Sequence, residues 1–154
     1  MPGPTAARVK DPKEFLKMSG DQLDELFRTS PAGEIPRGEG EGTAIIASGA
    51  PVSSEIARLV HLFSWKGKVF DPVKGELRNK ILPLGHKAIV AKVYHDKSWF
   101  DQKECVVLDY SKTSLVAKWI RDEIREVAPG IYLGIVYWGK KKLIHFGLRF
   151  PASR

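Results

Sequence analysis

The last quarter of the chain, Gly130-Ile-Tyr-Leu-Gly-Ile-Val-Tyr-Trp-Gly-Lys-Lys-Lys-Leu-Ile-His-Phe-Gly-Leu-Arg-Phe150, constrains the fold more than any other stretch. Two runs rich in branched and aromatic residues flank Gly139-Lys140. Glycine first in a two-residue loop suits the type II′ turn that matches strand twist, so the segment reads as a β-hairpin. In the second run Ile144, Phe146, Leu148 and Phe150 share one face while His145, Gly147 and Arg149 share the other, which predicts a strand with one buried and one wet side. Antiparallel strands that must hide their edges tend to close into a barrel able to hold a ligand.

More such segments lie upstream. Strands are expected at Thr43–Ser48, Lys66–Phe70, Glu76–Leu82, Lys87–Tyr94 and Glu104–Tyr110, separated by turn chemistry at Asp71-Pro72, Pro83-Leu-Gly85 and Asp96-Lys97. Three helices are expected. The first covers about 20–28 behind a Ser19-Gly-Asp-Gln22 capping box. The second covers about 53–63, with Ile56, Leu59, Val60 and Phe63 on one face. The third covers about 114–126, burying Leu115, Val116, Trp119, Ile120 and Ile124. Residues 1–12, with three prolines, read as a loose arm, and Pro31–Gly42, with its Gly38-Glu-Gly-Glu-Gly42 run, reads as a loop. The expected architecture is mainly β (α+β), a curved antiparallel sheet closing into a barrel over residues 13–154 as one domain.

A chain of 154 residues buries enough surface to fold without staples. No apolar run approaches the ~20 residues of a membrane helix, and the N-terminus has no secretory h-region. With Cys105 as the single cysteine, these features lead us to expect a cytoplasmic protein. Net charge is +7, but unevenly placed: residues 1–50 hold six Lys/Arg against eight Asp/Glu, and residues 51–154 hold 19 against 10. That excess suits an anionic partner without specifying one. The lysines and aromatics carry no RRM, helix-turn-helix or finger spacing, so nucleic acid is disfavoured as a partner. The oligomeric state is not legible.

Metal and nucleophile chemistry find little support. His61, His86, His95 and His145 contain no ligand pair, and with one cysteine no zinc site or other cofactor is expected. Gly38–Gly42 lacks the lysine of a phosphate loop, and its Glu39 and Glu41 repel phosphate. Polar residues between apolar neighbours are more informative: Asn79 between Leu77 and Ile81, Lys92 between Val90 and Tyr94, and Asp109 after Cys105 and Val107. Each either faces outward or shares a wet cavity. In a cavity, Asp109 and Lys92 would serve as general base and acid, with Asn79, Tyr94, Tyr110, Tyr132, Tyr137 and Trp65 contacting the ligand.

Three stretches, Leu23-Asp-Glu-Leu-Phe27 with its following Pro/Gly-rich loop, Phe63-Ser-Trp-Lys-Gly-Lys-Val-Phe70, and Pro129-Gly-Ile-Tyr-Leu-Gly134, resemble small bacterial lipocalin-like (calycin-type) domains that open with a Gly-x-Trp-x-Gly element. Where that element carries its tryptophan this chain has Gly38-Glu-Gly-Glu-Gly42. The resemblance implies a barrel that binds a small apolar molecule. Two functions are therefore carried forward: a binding module enclosing a small hydrophobic molecule, carboxylated ones included, or a cofactor-independent isomerase, cyclase or lyase using Asp109, Lys92 and the tyrosines in the same cavity.

Overall fold

The computed structural model describes residues 9–45, 68–80, 88–111 and 118–151. Eight strands, β1 Gly38–Ile45, β2 Lys68–Asp71, β3 Glu76–Lys80, β4 Ala88–Lys97, β5 Glu104–Asp109, β6 Ile120–Ala128, β7 Ile131–Trp138 and β8 Lys141–Arg149, pair antiparallel in chain order and close as β8 meets β1. Two helical segments precede them: a 3₁₀ helix Pro12–Lys17 capped by Asp11, and an α-helix, α1, Gly20–Thr29, capped by Ser19 and Gln22 as the capping box predicts. The hairpin turns at Gly139, whose φ of 63° only glycine adopts without strain. The expected helix at 53–63 lies outside the described residues.

Two expectations are overturned. The stretch 120–128 is not helix but strand β6. Residues four apart share a face in both periodicities, so Ile120 and Ile124 fit either. Arg and Glu add helix propensity, but pairing of β6 with β5 and β7 decides the outcome. Gly38–Gly42 is not a loop but the first half of β1, with glycines and glutamates alternating across the wall. Gly42 pairs with Leu148 and Ala44 with Phe146, placing the small residues on the interior face.

That alternation separates two cores. The barrel interior gathers side chains such as Phe70, Leu77, Ala91, Val93, Val106, Leu108, Ile124, Val136, Phe146 and Leu148. A second core lies outside the wall, where Phe15, Leu23, Leu26 and Phe27 cover Cys105, Val107, Leu133 and Ile135. The N-terminal segment beyond Val9 is thus a lid over β5–β8 rather than part of a loose arm. It also changes the expected wet face of β8: His145 is buried, and a Cβ on Gly147 would meet Pro12 at 2.7 Å. Arg125, 1% exposed, pins the lid from β6. It donates to the Phe27 carbonyl at 2.8 Å, to both Asp101 oxygens at 2.7 Å, and to the Glu104 and Lys103 carbonyls.

Candidate functional site

The two ends of the barrel differ. At the end where β6 turns into β7, Phe150 stands edge-on to Phe70 (centroids 5.3 Å apart) and to Tyr132 (5.6 Å). Its ring occupies the space a Cβ on Gly40 would need, at 2.5 Å. Tyr132 donates to the Glu34 carbonyl at 2.7 Å, and Ile35 packs against the interior core, so this end is plugged. A cavity of about 470 Å³ lies at this end, lined by Glu34, Arg37, Glu126, Tyr132 and Phe150 among others. Burial, followed by the charges of Glu126 and Glu34, raises the Tyr132 pKa, so its hydroxyl stays protonated at neutral pH and acts as a donor.

Toward the other end, where β5 finishes and β6 starts, the lining becomes polar. Ile120, Asp122 and Ile124 alternate onto the interior face, and Asp122 is 4% exposed. Its register partners are Leu108 on β5 and Val136 on β7, both interior residues. Tyr110, fully buried, lies on the same face two residues beyond Leu108, diagonal to Asp122 and within reach of a long side chain. On β1, Gly42 and Ala44 face inward beside Leu148 and Phe146 of β8. Both stay half-buried. A carboxylate in such a lining persists only where polar groups meet it.

The residues singled out from the sequence divide between the two faces. Tyr110 and Tyr132 are interior. Lys92, Tyr94, Asp109 and Tyr137 are not: they alternate with the interior Ala91, Val93 and Leu108 and stand on the outer face. Lys92 and Asp109, expected as acid and base in a cavity inside the sheet, therefore stand on its outside. The backbone of Asn79 pairs with Lys68 and Ile89, and Trp65 lies outside the described residues.

On the outer wall Glu76, Lys92, Asp109, Arg121 and Tyr137 follow one another across successive strand pairs. Lys92 Nζ lies 3.6 Å from Glu76, with its side chain 49% exposed. Tyr94 donates to Asp109 at 2.8 Å, and Ser111 donates to the other carboxylate oxygen through backbone and hydroxyl. Burial pushes the Asp109 pKa upward, but these hydrogen bonds and the Arg121 charge outweigh it and hold the carboxyl below its ordinary value. Tyr94 is pushed up to about 12 by burial and by Asp109. A weak base beside a weak acid is a structural pair, not a poised catalytic one.

Beside them Glu123, wholly buried, accepts from Ser98 Oγ at 2.5 Å, from the Trp99 amide at 2.8 Å and from Arg121 Nε at 3.1 Å. Cys105 is sealed under the lid, and burial followed by the nearby Glu123 charge raises its pKa to about 12, which suits a packing residue rather than a nucleophile. No group of three or more metal-ligating side chains occurs among the described residues.

Asp122 is not among the residues the sequence singles out, since the helix expected at 114–126 buries Ile120 and Ile124 and leaves Asp122 off that face. The alternation Ile120-x-Asp122-x-Ile124 was the available signal. No known family model and no curated protein matches the chain. It is similar to the solved structure of a protein from Thermomonospora curvata, 14% identical, with a TM-score of 0.62 over 92% of this chain and 95% of that one. At that identity the likeness shows the fold alone, an eight-stranded closed antiparallel barrel.

Proposed function

We propose that the protein binds one small hydrophobic molecule inside the barrel, with the molecule's polar end against Asp122 and Tyr110. The observation that carries this reading is the buried carboxylate of Asp122 among the apolar side chains described on the interior face. Support comes from the strand number, since eight strands enclose either a filled core or one small ligand. The aromatic plug at the opposite end gives the interior a floor. The reading is the function expected of a lipocalin-like barrel, with one change. A carboxylated ligand is disfavoured, because its charge would meet another carboxylate. A carboxylate offers about four acceptor positions, so Asp122 can take a hydrogen bond from a ligand alongside those from its protein partners.

The test is native mass spectrometry of the purified protein, followed by fluorescence titration with the neutral probe N-phenyl-1-naphthylamine and the anionic probe 1-anilinonaphthalene-8-sulfonate. We expect saturable one-to-one binding that favours the neutral probe. Asp122→Leu should change the affinity at least tenfold with the barrel still folded. Absence of saturable binding, or wild-type affinity in Asp122→Leu, refutes the reading. A second reading, acid–base catalysis, is favoured only by the presence of both Asp122 and Tyr110 on one face. It requires solvent deuterium to appear in the bound molecule, and to cease doing so in Asp122→Asn.

A further inference from the structure

We infer that the rim of the barrel where β6 starts and the β7–β8 hairpin turns is a docking surface for anionic phospholipid bilayers. Trp119 stands 59% exposed on this rim, with Lys118 Nζ 5.0 Å from its ring centroid. Its carbonyl accepts from the Gly139 amide at 2.7 Å, which fixes the indole beside the hairpin tip and its exposed Lys140 and Lys141. Lys140 in turn lines a shallow cavity of about 280 Å³ with Trp99, Gln102 and Tyr137. Trp99 is 42% exposed, with the Arg121 guanidinium 4.2 Å from its ring centroid and the Tyr137 ring edge-on at 5.3 Å. The rim thus presents two indoles and a set of cations on one continuous surface.

Acidic groups around it are already engaged. Glu123 is wholly buried under Ser98, Trp99 and Arg121; Asp101 is clamped by Arg125; Asp109 is held by Tyr94 and Ser111; and Asp24 is shared by Lys142 and His145. Indoles seek the boundary between headgroups and acyl chains, and lysines beside them meet anionic headgroups. A single-stranded nucleic acid would also be drawn to cations and aromatics, but stacking needs free ring faces. Here each indole already has its own cation over one face, whereas seating an indole among headgroups needs no free face. The position also fits. Asp122 and Tyr110 lie toward this end, so a hydrophobic molecule leaving a bilayer here would meet the polar end of the interior first. That purpose rests on the ligand-binding reading, while the docking itself does not.

The experiment is cosedimentation of the full chain with vesicles of 30% phosphatidylglycerol in phosphatidylcholine, and with pure phosphatidylcholine, in low and in 0.5 M salt. We expect binding to the anionic vesicles alone, lost in high salt. Lys118→Gln, Lys140→Gln and Lys141→Gln together should weaken it on the order of 100-fold, roughly fivefold for each basic residue. Trp119→Ser should weaken it separately, and both variants should melt like the wild type because every altered side chain is exposed. Equal binding to neutral vesicles, no binding in low salt, or an unaffected triple variant overturns the inference. So does binding of a single-stranded oligonucleotide where anionic vesicles fail. Asp122→Leu should shift the naphthylamine affinity at least tenfold yet keep the vesicles. A wild type that docks but holds no probe would sink the ligand reading and leave the docking standing.

Discussion

Glycine at position 134 is the sharpest consequence of close packing inside the barrel. Gly134 on β7 faces Phe146 on β8, and a Cβ built there would lie 2.2 Å from two atoms of the Phe146 ring. Phe146 is wholly buried, so truncation to alanine should cost about 3–5 kcal/mol. Gly134→Ala alone carries two opposed effects. Overpacking costs about 1–3 kcal/mol, while replacing a strand glycine recovers about 0.4–1 kcal/mol of chain entropy. The net is a loss of about 1–2 kcal/mol. With the ring gone the first effect vanishes, so Gly134→Ala in a Phe146→Ala background should be neutral or stabilising by up to ~1 kcal/mol. The assay is a double-mutant cycle by urea denaturation of all four proteins, with thermal melts as a check at ~2–4 °C per kcal/mol for a chain of this size. Costs that add within ~0.5 kcal/mol would show that the two residues do not meet, and the assignment of this face to the interior would fall.

Breaking the Arg125–Asp101 pair with Arg125→Met should cost about 3–5 kcal/mol, because three carbonyls and a carboxylate lose their donor. The hydrogen bond from Arg125 is the largest influence on Asp101 and holds its pKa below the ordinary value. Its stabilisation is therefore present above the unfolded pKa of ~3.9 and lost as pH falls through the lower folded value. The gap between wild type and variant should narrow below about pH 4, and a gap independent of pH would refute the pairing. His145 should titrate below its ordinary value, since burial lowers it more than Asp24 raises it, and Asp24→Asn should drive it lower still in an NMR titration. An upward move would contradict the contact. Cys105, raised to about 12, should resist iodoacetamide at pH 8 until the protein is unfolded, and rapid native labelling would show the lid to be open.

The hairpin and the strand set were legible because they obey one local rule, period-two alternation with glycine in the turn. What failed was local information that fits two structures. Ile120 and Ile124 satisfy a helix and a strand equally, and only the pairing of β6 on both edges separates them. Gly38–Gly42 reads as a loop because glycine weakens strands. Its role, admitting the Phe150 ring beside Gly40, depends on a residue over a hundred positions away. The same blindness reversed the site. The sequence marked Lys92 and Asp109 as polar residues among apolar ones, but not which face was which, and a lid that buries the outer wall makes both faces look like core.

That lid bears on how the barrel can keep a carboxylate inside. A buried carboxylate costs stability even where polar groups meet it, and a chain needs buried apolar area to offset that cost. Here much of that area is supplied outside the wall, by Phe15, Leu23, Leu26 and Phe27 against β5–β7. Stability supplied on the outer face offsets what the buried carboxylate costs. Removing the lid should therefore unfold the barrel, while Asp122→Leu should stabilise it, as replacing a buried charge by a well-packed apolar group can do. Urea midpoints for an Arg125→Met, Leu26→Ala double variant and for Asp122→Leu decide the matter. An Asp122→Leu midpoint well below wild type would mean that this carboxylate holds the fold together, and its assignment to ligand binding would lose its basis.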